Sequence, residues 1–350
     1  MMTLRFPKLF FITLLMAVPI MAIAAPAAIP PPFGINFSQN NEVQSFINDI
    51  SQKDGFKPDT LKHLFTQTRF NQKIIDAITR PAESKPWYQY RPIFVTKKRI
   101  DEGVTFWNEN QSILERAEKV YGVPPEIIVA ILGVETRYGR HKGVYRVMDS
   151  LATLAFGYPQ RADFFRSELE QYLLLTREEN LDPLTVKGSY AGAMGNAQFI
   201  SSSYRSYAVD FDGDGKRDLW NNASDTIGSV ANYFNRHHWQ PGGEITIPVT
   251  IDNGNHIENI VDKGLKPHST VAELRKSGIT TKSQLNPNVM GALIELEDQT
   301  GKEYWLGFNN FYVITRYNHS PLYAMAVYQL GQAIRNKREN ARHTVSKMVN

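Results

Sequence analysis

Residues 123–140 read Val-Pro-Pro-Glu-Ile-Ile-Val-Ala-Ile-Leu-Gly-Val-Glu-Thr-Arg-Tyr-Gly-Arg, and they predict a helix at the centre of a helical core. Proline in the first turn favours a helix start at this point, and Gly139 is suited to the C-terminal cap. Between Ile127 and Val134 every side of the helix is apolar. A helix of this kind is stable only when other elements cover it on all sides, so we expect it to be buried.

Glu135 follows the apolar run directly and shares a helix face with Ile128 and Ile131. Burial and the negative end of the helix dipole both disfavour its anionic form, so we expect its pKa to be raised. A raised pKa suits a general acid near neutral pH. The sequence alone equally allows a structural ion pair between Glu135 and Arg137, Arg140 or another cation.

The composition of the 350-residue chain is that of an ordinary globular protein, with 42% hydrophobic and 21% charged residues. It argues against a disordered chain and against a multi-span membrane protein. The net charge of +4 falls to +2 without Arg5 and Lys8, which is too low to indicate a nucleic-acid partner. The chain has no cysteine, which excludes thiol nucleophiles, zinc ribbons and a lipid-modified N-terminal cysteine.

Residues 1–24 match a secretory signal peptide. A basic segment precedes an apolar run from Leu9 to Ile23, and Ala22-Ile23-Ala24 fits a cleavage site. The run is short for a membrane span, which needs about 20 residues. We therefore expect a periplasmic protein that is not a lipoprotein and whose mature chain has no transmembrane span; a retained anchor is the alternative. Residues 25–33 then form a Pro/Ala-rich linker.

Helical periodicity dominates the chain as far as residue 240. Residues 34–105 predict a helical lobe that includes an aromatic loop at residues 84–92. Residues 106–240 predict the helical core that contains Glu135. We therefore expect a mainly α fold of the α+β class.

After residue 240 the hydrophobic period changes from helical to two. Pro248 places the first predicted strand at a sheet edge, and residues 292–308 predict a hairpin. Residues 241–308 thus form a small β subdomain, and residues 309–350 form a helical return to the core. The strand residues expected to face inward are Ile245, Ile247, Val249 and Ile251.

Two further stretches carry groups suited to sugar binding. Residues 188–199 are rich in glycine and alanine, which lets backbone approach a ligand closely while Ser189, Asn196 and Gln198 offer hydrogen bonds. Residues 316–323 combine aromatic faces with amide groups, the mixture that sugar rings require. Taken alone, the first stretch fits a flexible loop equally well, and the second fits a helix-capping aromatic corner.

The acidic stretch at residues 210–218 matches the first half of an EF-hand calcium loop. Oxygen ligands occupy alternate positions, a glycine occupies position 6, and a backbone carbonyl is available at position 7. Position 12 is Asn221 instead of glutamate, and a solvated acidic turn is the alternative. The expected ligands are Asp210, Asp212, Asp214, the carbonyl of Lys216 and Asp218.

Five strings occur in one order along the chain: Trp-Tyr-Gln-Tyr-Arg (87–91), Tyr-Gly-Val-Pro-Pro-Glu-Ile-Ile (121–128), Gly-Val-Glu-Thr-Arg (133–137), Ser-Tyr-Ala-Gly-Ala-Met-Gly (189–195) and Ile-Gly-Ser-Val-Ala-Asn-Tyr (227–233). With them the chain resembles the membrane-bound lytic murein transglycosylase B family of lysozyme-like, peptidoglycan-cleaving enzymes. The resemblance runs from about Phe33 to near the C-terminus. It implies a lysozyme-like helical catalytic core that acts on peptidoglycan glycan strands.

The resemblance implies that Glu135 is the single catalytic acid and base. It also implies a lengthened EF-hand-like loop that Asp225 closes around a structural Ca²⁺, with no organic cofactor. We expect a monomer without a nucleic-acid partner. The residues that the resemblance places along the glycan are Tyr90, Arg161, Ser189, Gln198, Phe199, Tyr233, Tyr317, Asn318 and Tyr323.

The chain departs from the family in two of these places and at its N-terminus. Residues 195–199 read Gly-Asn-Ala-Gln-Phe where the family often has Gly-Tyr-Gly-Gln-Phe, and Gln160 stands where arginine is common. The family's lipobox is missing. Substrate contacts beside Gln198 and Arg161, and membrane anchoring, therefore do not carry over directly.

The implied reaction cleaves the β-1,4 bond between N-acetylmuramic acid and N-acetylglucosamine and leaves a 1,6-anhydromuramoyl product. A glycosidase with two carboxylates would need a second Asp or Glu nearby, and Asp163 is the one that the sequence leaves open. A hydrolytic muramidase on the same scaffold, an inactive calcium-stabilised wall-binding module and a helical adaptor with a calcium loop are the alternatives.

Overall fold

The computed structural model describes residues 35–80, 85–252 and 257–349, with side chains described as far as residue 342. The predicted signal peptide and linker lie outside these residues. Cα packing divides the described chain into two units. The helical unit holds residues 35–242 and the chain from Ala326 onward, and the β unit is Gly243–Met325.

The helical unit consists almost entirely of α-helices, which confirms the predicted mainly α fold. A short antiparallel ribbon pairs β1 (Tyr145–Arg146) with β2 (Lys187–Gly188). The helices before residue 242 are α1 (Asn41–Asp54), α2 (Pro58–Gln67), α3 (Gln72–Ile78), α4 (Trp87–Phe94), α5 (Lys97–Glu109), α6 (Gln111–Tyr121), α7 (Pro125–Thr136), α8 (Val147–Gly157), α9 (Ala162–Glu178), α10 (Ser201–Tyr207) and α11 (Ala223–Arg236).

Helix α7 is the centre of this unit, as the apolar run predicts. Proline occupies its first position, and the side chains from Ile127 to Leu132 are at most 1% exposed. Helices α5, α6 and α11 pack around it. The surrounding helices give an all-apolar helix the complete cover that it needs.

The predicted end of α7 is wrong: the helix ends at Thr136, three residues before Gly139. Arg137 and Tyr138 both adopt left-handed backbone conformations, with φ of 52° and 59°. Such a conformation costs on the order of 1–3 kcal/mol for a residue other than glycine. Tertiary contacts offset this cost, because the Arg137 guanidinium makes two hydrogen bonds with Glu102 and the Tyr138 hydroxyl donates to the Arg99 carbonyl at 2.8 Å.

The predicted aromatic loop is also wrong from Trp87 onward, because Trp87–Phe94 forms α4. Trp87 and Tyr90 are buried, with ring centroids 6.4 Å apart, and the rings of Tyr90 and Phe94 lie 5.1 Å apart. Their spacing of three and four residues puts these rings on one helix face. Burial of that face outweighs the single hydrogen bond that Pro92 removes near the helix end.

The β unit contains one five-stranded sheet in the order β4-β6-β7-β3-β5, in which every pairing is antiparallel. Its short helices α12 and α13 lie between strands in sequence, and α14 follows the last strand. The elements are β3 (Thr246–Ile251), α12 (Ile257–Val261), β4 (Ser269–Thr270), α13 (Val271–Lys276), β5 (Ile279–Thr280), β6 (Met290–Asp298), β7 (Gly301–Gly307) and α14 (Asn309–Tyr317).

Strands β6 and β7 form the predicted hairpin, with Asp298 opposite Gly301 across a two-residue turn. Strand β5 pairs only with the last two residues of β3, so in the described chain Pro248 has a strand neighbour on one side. At Pro248 itself, β3 thus lies at an edge of the sheet, as predicted. The core of the unit is formed by Ile247, Ile257, Val271, Leu274, Ile279, Leu293, Leu306 and Phe308, with Val249 and Ile251 packed against it.

The chain returns to the helical unit through α15 (Pro321–Val349). Arg335 on this helix bonds the carboxylate of Glu126 at 3.1 Å. The β unit extends past the predicted limit of residue 308 to Met325, because α14 packs against β7. The finer division of residues 34–240 into a lobe and a core stays a prediction.

Candidate active site

Glu135 lies in the last turn of α7, where it is partly exposed although the residues before it are buried. The two cations considered as its structural partners bond another residue. Arg137 Nε lies 2.7 Å from Glu102 Oε2, and Arg140 Nη1 lies 2.9 Å from Glu102 Oε1. Glu102, on α5, thus binds both guanidinium groups that follow the helix. No local pattern predicts this role for Glu102, because it lies 33 residues before Glu135.

Thr136 connects the end of α7 to the glycine-rich stretch at residues 188–199, called the glycine loop below. Its hydroxyl donates to the carbonyl of Asn196 at 3.0 Å and accepts from the Gly139 N–H at 3.0 Å. The residue next to Glu135 therefore fixes the position of the loop relative to the carboxylate. Sequence analysis missed Thr136, although a hydroxyl beside a candidate catalytic residue at a helix end is a usable signal.

The glycine loop is bonded along its own backbone. The Ser189 N–H donates to the Ala193 carbonyl, and the Met194 N–H donates to the Phe199 carbonyl, both at 2.8 Å. Gly195 has a φ of 69°, and a Cβ there would lie 2.7 Å from the Leu219 carbonyl oxygen. Only glycine fits this position, and backbone contacts fix the shape of the loop.

Ser189 and Gln198 have their side chains engaged with this backbone. Ser189 Oγ accepts N–H bonds from Ala191 and Ala193 at 3.2 and 3.1 Å. Gln198 has a φ of 50°, and its Nε2 donates to the Gly195 carbonyl at 2.9 Å. The amide oxygen of Gln198 and the O–H hydrogen of Ser189 take no part in these bonds.

Aromatic rings extend the loop on one side. The rings of Phe199 and Tyr233 lie 5.6 Å apart, and Tyr233 also contacts Tyr207 and His237 with centroids 4.9 and 4.2 Å away. The structure thus places Phe199 and Tyr233 side by side. Tyr90 is packed with its neighbours on α4, as described above.

Arg161 lies just before α9, with its guanidinium carbon 4.3 Å from the Phe164 ring centre. Burial lowers the pKa of Arg161. Asp163, the second carboxylate left open by the sequence, has a fully exposed side chain 3.7 Å from Arg166. An exposed carboxylate of this kind lacks the enclosed setting of a catalytic nucleophile.

Asp210, Asp212, Asp214 and Asp225 bring four carboxylate oxygens within 4.8 Å of one another. Asp225 is fully buried, and its two oxygens accept the N–H groups of Phe211 and Asp218 at 2.8 and 2.9 Å. Burial raises the pKa of Asp225. We call residues 210–225 the acidic loop.

Asp210 shapes the acidic loop by accepting N–H bonds from Gly213, Asp214 and Gly215 at 2.7, 3.1 and 2.8 Å. The bond from Gly215 is the main reason that the pKa of Asp210 is lowered. The donor set fits a hard divalent cation such as Ca²⁺, which prefers carboxylate and carbonyl oxygens. Each pair of like charges at this distance costs on the order of 1 kcal/mol in water, and a cation would offset that repulsion.

Two predicted ligands of the acidic loop have other described contacts. Asp218 is not one of the four clustered carboxylates, and its Oδ1 accepts N–H bonds from Trp220 and Asn221 at 2.8 and 3.0 Å. The Lys216 N–H donates to Asp214 Oδ1 at 2.9 Å. These bonds make Asp218 a turn-capping residue in the described chain.

Tyr317, Asn318 and Tyr323 belong to the β unit, at the corner between α14 and α15. The Asn318 carbonyl accepts the Ser320 N–H at 2.8 Å, and Ser320 Oγ accepts the Tyr323 N–H at 3.3 Å. This corner caps α15, and Tyr323 is buried in its first turn.

The family model described as "Transglycosylase SLT domain" matches residues 38–332. Membrane-bound lytic murein transglycosylase B of Escherichia coli K12 is 44% identical over 311 residues, which cover 86% of this chain and 84% of that protein. The chain belongs to the transglycosylase SLT family. The resemblance stated from the sequence is thereby confirmed.

Two solved SLT-family structures share the fold. Catenated lytic transglycosylase SltB1 from Pseudomonas aeruginosa is 49% identical, with a TM-score of 0.83, and the match covers 86% of this chain and 99% of that chain. Lytic transglycosylase Slt35 of Escherichia coli, described as a complex with calcium, is 44% identical with a TM-score of 0.79, and the match covers 87% and 96%. None of the helices in the described residues combines the length and apolarity that crossing a bilayer requires.

Proposed function

We propose that this protein is a lytic transglycosylase that cleaves the β-1,4 bond between N-acetylmuramic acid and N-acetylglucosamine in peptidoglycan. The observation that carries the proposal is the position of Glu135, partly exposed at the end of a buried helix and tied to the glycine loop through the Thr136–Asn196 bond. The names of the murein-cleaving relatives support the same reaction.

In the proposed mechanism, protonated Glu135 gives its proton to the glycosidic oxygen while the bond from that oxygen to C1 of the muramoyl sugar breaks. The substrate's own N-acetyl carbonyl offsets the positive charge at C1. The Glu135 carboxylate then takes the proton of the C6 hydroxyl, and the C6 oxygen forms a bond with C1. The product is a 1,6-anhydromuramoyl end, no water is consumed, and Glu135 is protonated again.

The proposed glycan contacts are assigned residue by residue. In the helical unit, the Ser189 hydroxyl and the Gln198 amide oxygen offer polar groups, and Phe199 and Tyr233 offer a paired aromatic surface. The remaining proposed contacts are made by Tyr90, Arg161, Tyr317, Asn318 and Tyr323.

We also propose that the acidic loop binds one structural Ca²⁺ through its four clustered carboxylates and the Lys216 carbonyl. Asp218, at position 9, contributes through a water molecule, as is frequent in such loops. When bound, the ion neutralises the carboxylates. The short distances among these groups and the calcium complex of Slt35 support this assignment.

The proposed location is the periplasm. The signal-peptide pattern of residues 1–24 and a murein substrate both support it. We propose that the signal peptide is cleaved and that the mature protein acts as a monomer.

The test is the mass of the products that the purified protein releases from murein sacculi. We expect anhydromuramoyl ends, whereas reducing ends about 18 Da heavier would show that water attacks and that the protein is a hydrolase. Binding to sacculi without any product would favour the inactive wall-binding module.

Glu135→Gln tests the residue assignment. We expect at least about a 100-fold loss of turnover, because one group serves as acid and base, with an unchanged melting temperature. Glu126→Gln, at the other end of the same helix, is the matched control and should keep the anhydro product. Equal turnover of Glu135→Gln and the parent protein would remove Glu135 from the mechanism.

A further inference from the structure

The helical unit contains a cavity of 570 Å³ that the proposed glycan contacts do not use. Its walls come from residues 142–143, the segment 179–187, Tyr204 and the stretch 216–221 at the end of the acidic loop. The size is that of a site for a small organic molecule or a few residues of peptide.

Cations dominate this cavity. Its lining includes Lys142, Lys187, Lys216 and Arg217. The acidic lining residues are engaged elsewhere, because Glu179 binds the Arg217 guanidinium at 2.6 Å from Nε and Asp218 accepts the backbone bonds described above. Lys187 and Lys216 are exposed, so their ammonium groups are accessible from solvent.

The wall between these cations is aromatic and apolar. Trp220 packs against Tyr204 with ring centroids 5.7 Å apart, and its Nε1 donates to the Lys187 carbonyl at 3.4 Å. Leu181 and Val186 complete the wall. A ligand that combines a carboxylate with a short hydrocarbon or peptide backbone fits this lining better than a bare inorganic anion.

The cavity and the glycine loop share their supporting bonds. Lys142 donates from Nζ to the Trp220 carbonyl, and its own carbonyl accepts from Gln198 Nε2 at 3.3 Å. Lys187 lies two residues before Ser189, at the start of the loop. An extended peptide covers about 3.3–3.6 Å per residue, so a few residues attached to a sugar at the loop span the cavity.

We propose that this cavity binds a carboxylate of the stem peptide that N-acetylmuramic acid carries in murein. The proposal rests on the proposed function, since the bound glycan strand brings the peptide to the loop. The exposed lysines attract the carboxylate, and the Trp220 wall contacts the peptide beside it. The cavity thereby makes the enzyme prefer peptide-bearing strands over bare glycan.

The experiment compares two substrates, murein strands with their stem peptides and the same strands after an amidase has removed them, in calcium-containing buffer. Lys187→Ala should lower kcat/KM on peptide-bearing strands by roughly threefold, the effect of one exposed ion pair, mainly through KM. Turnover of bare strands should not change. Lys73→Ala, at an exposed position outside the cavity, is the matched control.

Calorimetry with a free murein tetrapeptide separates this proposal from the proposed function. The full-length protein should bind the tetrapeptide, and binding should weaken in Lys187→Ala and for a peptide whose carboxylates are amidated. Equal affinity for the amidated peptide, or equal losses on both strand substrates, would overturn the cavity assignment. Absence of anhydro products from both substrates with the parent protein would instead overturn the proposed reaction.

Discussion

The glycine loop and the acidic loop are neighbours in the chain and are joined by α10, yet different hydrogen-bond acceptors stabilise their backbones. In the glycine loop backbone N–H groups bond backbone carbonyls, and Gly195 packs against the Leu219 carbonyl. In the acidic loop the N–H groups are bound by carboxylates, chiefly that of Asp210, and Gly213 has open space around it.

The two loops therefore obtain their shapes from different interactions. Close packing and neutral bonds fix the glycine loop, so its geometry does not depend on salt or ions. The acidic loop gathers like charges to bind its own backbone, so its stability depends on what neutralises them. Ser189, Gln198 and Phe199 of the proposed substrate contacts belong to the glycine loop, and the acidic loop supports it through the Leu219 carbonyl, which accepts the Asn196 N–H at 2.7 Å.

Gly195→Ala should have the largest effect. The new Cβ would lie 2.7 Å from a backbone oxygen at a φ of 69°, and that oxygen already accepts the Asn196 N–H at 2.7 Å. We expect a loss of about 3 kcal/mol in the free energy of unfolding, measured by urea denaturation. Gly195→Asn should be no better, because asparagine relieves φ strain but not the clash. A well-folded Gly195→Ala variant with normal stability would show that the loop is less tightly packed than described.

Calcium withdrawal should have the next largest effect. If Ca²⁺ binds only the folded acidic loop, a concentration 100 times its dissociation constant adds about 2.7 kcal/mol of stability. A chelator should therefore lower the melting temperature of the parent protein and leave that of Asp225→Asn almost unchanged. Equal melting temperatures of the parent protein with and without calcium would contradict the ion-dependent half of the comparison.

Glu168 on α9 should make the stability of the protein depend on pH, because it holds the start of α10, the helix that joins the two loops. It is buried and accepts the Ser202 N–H, at the start of α10, at 3.0 Å. Burial raises the pKa of Glu168 above its unfolded value. Its contribution to stability is therefore fully present below the unfolded pKa and is lost as the pH rises through the folded pKa.

Glu168→Gln should abolish this loss of stability at high pH. The loss amounts to about 1.4 kcal/mol in the free energy of unfolding for each unit by which the folded pKa exceeds the unfolded pKa. The check is the free energy of unfolding of variant and parent between pH 4 and pH 8, values chosen about the ordinary glutamate pKa of roughly 4.3. Glu115→Gln, at an exposed position, should follow the parent. If the parent protein instead becomes more stable than Glu168→Gln as the pH rises, the sign is opposite to that expected and the assignment is refuted.

Gly213→Ala should have the smallest effect. Its φ of 82° strains any side chain, but nothing lies within 4 Å of a new Cβ. We expect a loss of about 1 kcal/mol in calcium-containing buffer, and Gly213→Asn should restore most of it because asparagine tolerates this conformation. If Gly213→Ala loses as much stability as Gly195→Ala, the two loops do not differ in packing as described.

The centre of the fold could be predicted because its signal is local. The apolar run from Ile127 to Val134 indicates a buried helix without any knowledge of its neighbours, and the period-two pattern of residues 245–251 indicates a strand in the same way. The clustering of Asp210, Asp212 and Asp214 could be predicted because calcium ligands follow the chain at fixed spacing, whereas Asp225 came only from the family resemblance.

The errors arose where distant contacts decide the local structure. The end of α7 depends on Glu102, which binds Arg137, and α4 depends on burial of Trp87 and Tyr90. Neither contact leaves a pattern near the residues that it affects. The cavity beside Trp220 is likewise invisible in the sequence, because its walls come from separate segments.

The C-terminal helix α15 has a consequence for synthesis. Ile334 fills the space beside Gly103, and Arg335 and Lys337 bond Glu126 and Asp101. When the first 242 residues have been synthesised, most of the helical unit is present, but the α15 residues that make these contacts are not. Helices α5 and α7, which carry Gly103, Asp101 and Glu126, therefore gain these contacts only after residues 334–337 have been synthesised.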